Sequence, residues 1–118
     1  MVVITLLFRR GEPLRISPDP AYVPKGEVVK WVIAFWPPQR ELASQLSWEI
    51  YFDLVQPFAF GDAPRRLRWE PDRFSNDLQQ PEIVSGPVIK PGDYKYGVLA
   101  TRSDGSIESD DDPYLIVR

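Results

Sequence analysis

The chain has 118 residues, 43% of them apolar, a net charge of −3, and neither cysteine nor histidine. That length suits one domain whose core needs no disulfide or metal staple. The missing residue types exclude disulfides, thiolate nucleophiles, imidazole bases and the metal sites built on them, and the acidic balance argues against nucleic acid or an anionic membrane as partner.

Thirteen prolines and seven glycines punctuate the sequence into short elements, the pattern of an all-β domain. Val2 to Phe8 forms an apolar run followed by Arg9-Arg10. A secretory leader places its charge first and a membrane span is longer, so the run is read as a first strand. The expected location is cytoplasmic by default, or exported if a leader has been removed. Leu14-Arg15-Ile16 is a short extended piece, and Ser17-Pro18-Asp19-Pro20 favours a bend or sheet edge. Pro24-Lys25-Gly26 carries tight-turn residues.

The strongest strand signal follows, from Glu27 to Trp36, opened by the turn glycine Gly26 and closed by Pro37-Pro38. Val29, Trp31, Ile33 and Phe35 share one face, predicted to enter the core. Pro38 to Leu46, with Leu42 and Leu46 four apart, is the one candidate for a short helical insertion, and a structured loop fits equally. Trp48, Ile50, Phe52 and Leu54 alternate with Glu49, Tyr51, Asp53 and Val55, which predicts a half-buried strand.

The pattern loosens from Gln56 to Gln80, a long excursion containing one candidate strand at Arg65–Trp69. Glu82-Ile83-Val84 and Pro87-Val88-Ile89 read as short strands, and Asp93–Thr101 as a long one with Tyr94, Tyr96, Val98 and Ala100 on one face. A turn at Ser103–Ser106 and an acidic loop precede a last strand, Pro113–Arg118. Neither an internal repeat nor a linker is evident, so residues 1–118 are read as a single domain.

Two segments resemble the cupredoxin-like β-sandwich family: Val23-Pro24-Lys25-Gly26-Glu27-Val28-Val29-Lys30-Trp31, and Lys90-Pro91-Gly92-Asp93-Tyr94-Lys95-Tyr96 with the closing Ile116-Val117. The resemblance implies a scaffold without the family's copper. The copper-binding cysteine would fall at or near Val98 and a histidine near Thr101, and the sole methionine is Met1. The expected fold is a single antiparallel Greek-key β-sandwich, cupredoxin-like or immunoglobulin-like.

Three groups of residues are candidates for function. Arg65, Arg66, Arg68 and Trp69, with Arg73 nearby, could grip phosphate or stack a base, although arginine stems also cover apolar surface. Trp36 and Tyr51 could meet a sugar or a protein if exposed, and the favoured reading has the Gln56–Gln80 excursion covering them. Asp104, Glu108, Asp110, Asp111 and Asp112 offer hard oxygen ligands for a cation, but without an EF-hand spacing the favoured reading is a solvated hairpin loop. No catalytic residue, cofactor or metal is expected. The expected function is non-catalytic: an interaction or assembly module binding a protein partner or forming a homo-oligomer, with a carbohydrate-binding or calcium-binding domain as alternatives.

Overall fold

A computed structural model describes residues 1–9, 12–36, 46–52, 55–58, 65–69, 81–102, 105–110 and 112–118. Their strands are, in chain order, β1 (Val2–Arg9), β2 (Arg15–Ser17), β3 (Ala21–Val23), β4 (Val29–Trp36), β5 (Ser47–Phe52), β6 (Arg65–Trp69), β7 (Glu82–Val84), β8 (Gly92–Lys95), β9 (Gly97–Thr101), β10 (Ile107–Asp110) and β11 (Tyr114–Val117). The described residues contain no helix, so none is long and apolar enough to cross a membrane. The expected insertion at 38–46 lies outside them except for Leu46, which is buried.

β1 and β4 are rich in β-branched and aromatic residues and alternate inward and outward. Ile4, Leu6 and Phe8 of β1 and Val29, Trp31 and Ile33 of β4 are buried. The two strands lie side by side with Ile4 opposite Trp31 and Phe8 opposite Phe35. They run parallel, which departs from the antiparallel sandwich expected from the sequence. A parallel pair needs a crossover, and the intervening chain carrying β2 and β3 supplies it. The sheet order is β2-β1-β4-β7, with both outer strands antiparallel to their neighbours.

Ser17-Pro18-Asp19-Pro20 then carries the chain out of this sheet. β2 pairs with β1, whereas β3 pairs in parallel with β11 in a three-stranded sheet, β3-β11-β8. The remaining sheet, β10-β9-β5-β6, is wholly antiparallel. It is tied to the three-stranded sheet by one long bent hairpin, because β8 runs into β9 through Tyr96 and β10 into β11 through residues 111–113. The Tyr96 N–H donates to the Pro113 carbonyl at 3.0 Å across the bend.

Three expectations change here. The long strand 93–101 is divided at Tyr96, and Glu108, Ser109 and Asp110 lie in a paired strand rather than a loop. Pairing with the apolar β9 overrides their weak β-propensity. Val88 makes only an isolated bridge to Phe58 instead of a strand.

All three sheets feed one core cluster. Trp31 is fully buried and meets Tyr96 edge-on, with ring centroids 5.9 Å apart. Phe52 packs between Tyr96 and Phe58 at 5.5 and 5.4 Å. Pro24–Glu27 forms the tight turn read from the sequence, with Gly26 at a φ of 95° and the Glu27 N–H donating to the Pro24 carbonyl at 3.1 Å.

Candidate functional site

β5 presents Trp48, Ile50 and Phe52 to the core, so Glu49 and Tyr51 emerge on the opposite face, where β6 lies alongside. Opposite residues share a face, and the register sets Arg68 beside Glu49 and Arg66 beside Tyr51. Arg66 Nη1 donates to Glu49 Oε1 at 2.7 Å, and Arg68 Nε to Oε2 at 2.9 Å. The two arginine stems cover the carboxylate, leaving Glu49 5% exposed. Alternation correctly gave Glu49 its side of the sheet. It carried no sign of the cover, whose only trace is the Arg-x-Arg spacing of β6.

Tyr51 lies over Gly97, its partner on β9. A Cβ at 97 would fall 2.0 Å from Tyr51 Cζ. The Arg66 guanidinium stacks above the same ring, 5.4 Å from its centroid. Arg66 therefore joins the carboxylate to the aromatic ring, and Tyr51 is half-buried.

The arginines and Trp69 do not converge as the sequence suggested. Trp69 pairs with Trp48 and packs against the core, whereas Arg66 and Arg68 lie on the outer face, because neighbouring residues of a strand point to opposite sides. The side chain of Arg65, and all of Arg73, lie outside the described residues. Even so, Arg68 and Trp69 both border one groove of about 240 Å³, lined also by Ser47, Trp48, Glu49, Leu99 and Thr101, which is smaller than the ~300–1,000 Å³ usual for ligand pockets.

Trp36 belongs to a different surface. It ends β4 opposite Arg9 and is 62% exposed, so the expected cover by the 56–80 excursion does not hold for it. Val3 and Val84, 47% and 49% exposed, share the outer face of this first sheet with half-buried Leu7, Val32 and Ala34. The Lys30–Glu82 ion pair, at 2.7 Å, crosses the same face. Trp36 and Tyr51 thus stand on outer faces of different sheets.

The acidic residues are spread along a sheet edge. Glu108 pairs with Arg102, Asp112 with Lys95 at 3.4 Å, and Asp110 Oδ1 accepts the Asp112 N–H at 3.0 Å. Asp104 and Asp111 lie outside the described residues, which contain no group of three or more potential metal ligands.

Two further features escaped the sequence reading. Trp31 Nε1, Trp48 Nε1 and Tyr96 Oη are buried without a hydrogen-bond partner. Burial pushes the Tyr96 phenol well above its ordinary pKa; the Trp31 indole pulls the other way, and the charges of Asp19 and Asp110 push it further up. Tyr22, 60% exposed beneath the Arg118 guanidinium, and Tyr114, 41% exposed, mark the outer face of the three-stranded sheet. The inward positions of Ala21 and Val23 were the available signal for Tyr22. No protein-family model matches the chain, and no curated protein matches it.

Proposed function

We propose that the chain is a non-catalytic, metal-free interaction or assembly module that binds a protein partner or a second copy of itself. The observation that carries this reading is the outer face of β1, β4 and β7, where Trp36, Val3 and Val84 are exposed beside Leu7, Val32 and Ala34. Apolar side chains exposed on one sheet face, here on either side of the Lys30–Glu82 pair, are one mark of an interaction site. A non-catalytic role is supported by the state of the charged groups, since Glu49, Glu108 and Asp112 are each held by an arginine or lysine. The net charge of −3 favours protein over nucleic acid or membrane.

The scaffold we propose is a Greek-key β-sandwich of cupredoxin-like or immunoglobulin-like form, without copper. Its support is the crossing of the chain from β2 to β3 between sheets around one shared core.

The test places a photo-crosslinking amino acid at position 36 and, as control, at position 51, in cells that make the protein. Discrete adducts through position 36 and none through 51 are expected. Absence of adducts at 36 overturns the assignment of this face.

A further inference from the structure

We propose that the open flank of β10 takes up an extended basic peptide as an added strand, one that alternates lysine or arginine with apolar residues. β10 is an edge of its four-stranded sheet, and no described strand pairs with its far side. The adjoining β11 is covered on that side by β3, whose chain departs toward the first sheet through Ser17–Pro20.

The main chain of β10 is set by the hairpin. The Arg102 N–H donates to the Ser106 carbonyl at 2.9 Å. Bonded and non-bonded pairs alternate along an antiparallel ladder. Ala100↔Glu108 and Val98↔Asp110 are therefore the bonded pairs, and Ile107 and Ser109 turn their N–H and C=O groups outward. Strand addition uses such a row of main-chain groups for affinity and alternate side chains for choice of partner.

The side chains define the occupant. Cross-strand partners share a face, so Glu108 and Asp110 lie on the side of Ala100 and Val98, while Ile107, 62% exposed, shares the outer face with Thr101 and Leu99. An incoming strand meets the carboxylates of Glu108 and Asp110 on one face and Ile107 with Ser109 on the other. Arg102 and Lys95 offset part of the charge of Glu108, Asp110 and Asp112, and these described residues together remain negative. A second copy fits less well, because in the strand β6 the arginines and apolar residues alternate in the opposite sense: a continuous antiparallel sheet would set Leu67 and Trp69, not Arg66 and Arg68, on the carboxylate side.

The probe is a fluorescein-labelled Lys-Val-Lys-Val-Lys peptide, followed by anisotropy, with Glu-Val-Glu-Val-Glu as control. Saturable binding of the basic peptide alone is expected, weakening as salt rises from about 0.01 M to about 1 M and the screening length contracts from about 30 Å to about 3 Å. Ser109→Pro removes an outward N–H without touching the β9 ladder, and is expected to lower affinity at least tenfold while circular dichroism shows the fold retained. Should that variant fail to fold, protection of the Ile107 and Ser109 amides from hydrogen exchange on peptide addition reads the same contact in the native chain. Absence of binding, binding unchanged by Ser109→Pro, or unchanged exchange at 107 and 109 overturns the proposal. These outcomes leave the crosslinking test at Trp36 untouched, since that residue is on another sheet.

Discussion

The ring of Tyr51 covers Gly97 so closely that one added methyl group would overlap it, with the Cβ 2.0 Å from Cζ. The contact is intimate because residue 97 has no side chain, and it holds the ring under the Arg66 guanidinium. Gly97→Ala is expected to swing the ring aside and cost about 1–2 kcal/mol, within the overpacking range but softened because a side chain rather than the backbone yields. Tyr51→Ala should largely remove that penalty in the double variant. A cycle of the four proteins by denaturant unfolding measures this, and independent, additive losses would contradict the contact.

Glu49 is the other half of the same arrangement. Glu49→Ala leaves Arg66 and Arg68 side by side without their shared carboxylate. Breaking a buried pair costs roughly 3–5 kcal/mol, but both arginines are more than half exposed and screened by water, so about 1–2 kcal/mol is expected here. High salt should reduce the difference from the native chain. A salt-independent loss would assign the effect to packing instead.

How far the sequence reveals this surface follows from what alternation encodes. Period-two patterning placed Trp31, Ile33, Trp48, Ile50 and Phe52 in the core, and those side chains are buried. It is silent on strand direction, since parallel and antiparallel pairs alternate identically, and so β1 beside β4 was legible only as two apolar strands. The inward series Tyr94, Tyr96, Val98 and Ala100 continues through the bend, which hid the division at Tyr96. The burial of Glu49 was open for a related reason: patterning names a face, while burial depends on the neighbouring strand.

Trp31 and Tyr96 test the core. Trp31→Ala should cost about 3–5 kcal/mol, the range for large aromatics truncated in cores. A loss under about 1 kcal/mol, typical of surface changes, would place the wrong face of β4 inside.

The Tyr96 phenol is held neutral by burial, its pKa raised above the ordinary 10.0. The unfolded chain releases that proton first, so stability is unaffected below about pH 10 and falls as the pH rises beyond it. Tyr94, whose hydroxyl donates to the Lys90 carbonyl at 2.8 Å, is shifted in the same direction by burial and contributes to the fall. Tyr96→Phe deletes a buried hydroxyl whose approach to the Trp31 indole falls short of a formed hydrogen bond. It should be neutral or slightly stabilising at pH 7 and should flatten the alkaline loss of stability. An unchanged alkaline profile would mean that Tyr96 is not the group responsible.

The acidic edge makes the last prediction. Glu108 and Asp112 already have protein cations, and Asp110 Oδ1 accepts a main-chain N–H from Asp112. The remaining repulsion is between groups partly in water and is screened over about 8 Å at physiological ionic strength. Asp110→Asn keeps an oxygen for the Asp112 N–H while removing a charge. It should be neutral or slightly stabilising, within about 0.5 kcal/mol, with the gain larger at low salt. The melting temperature of the native chain should be indifferent to millimolar calcium and to chelator. A cation bound only to the folded state would raise it by mass action, by an amount growing with the logarithm of calcium concentration above the dissociation constant. Such a rise, abolished by Asp110→Asn together with Asp111→Asn, would replace a solvated edge with a calcium site. It would also require Arg102 and Lys95 to release their carboxylates, so Arg102→Gln should then strengthen calcium binding rather than weaken the fold.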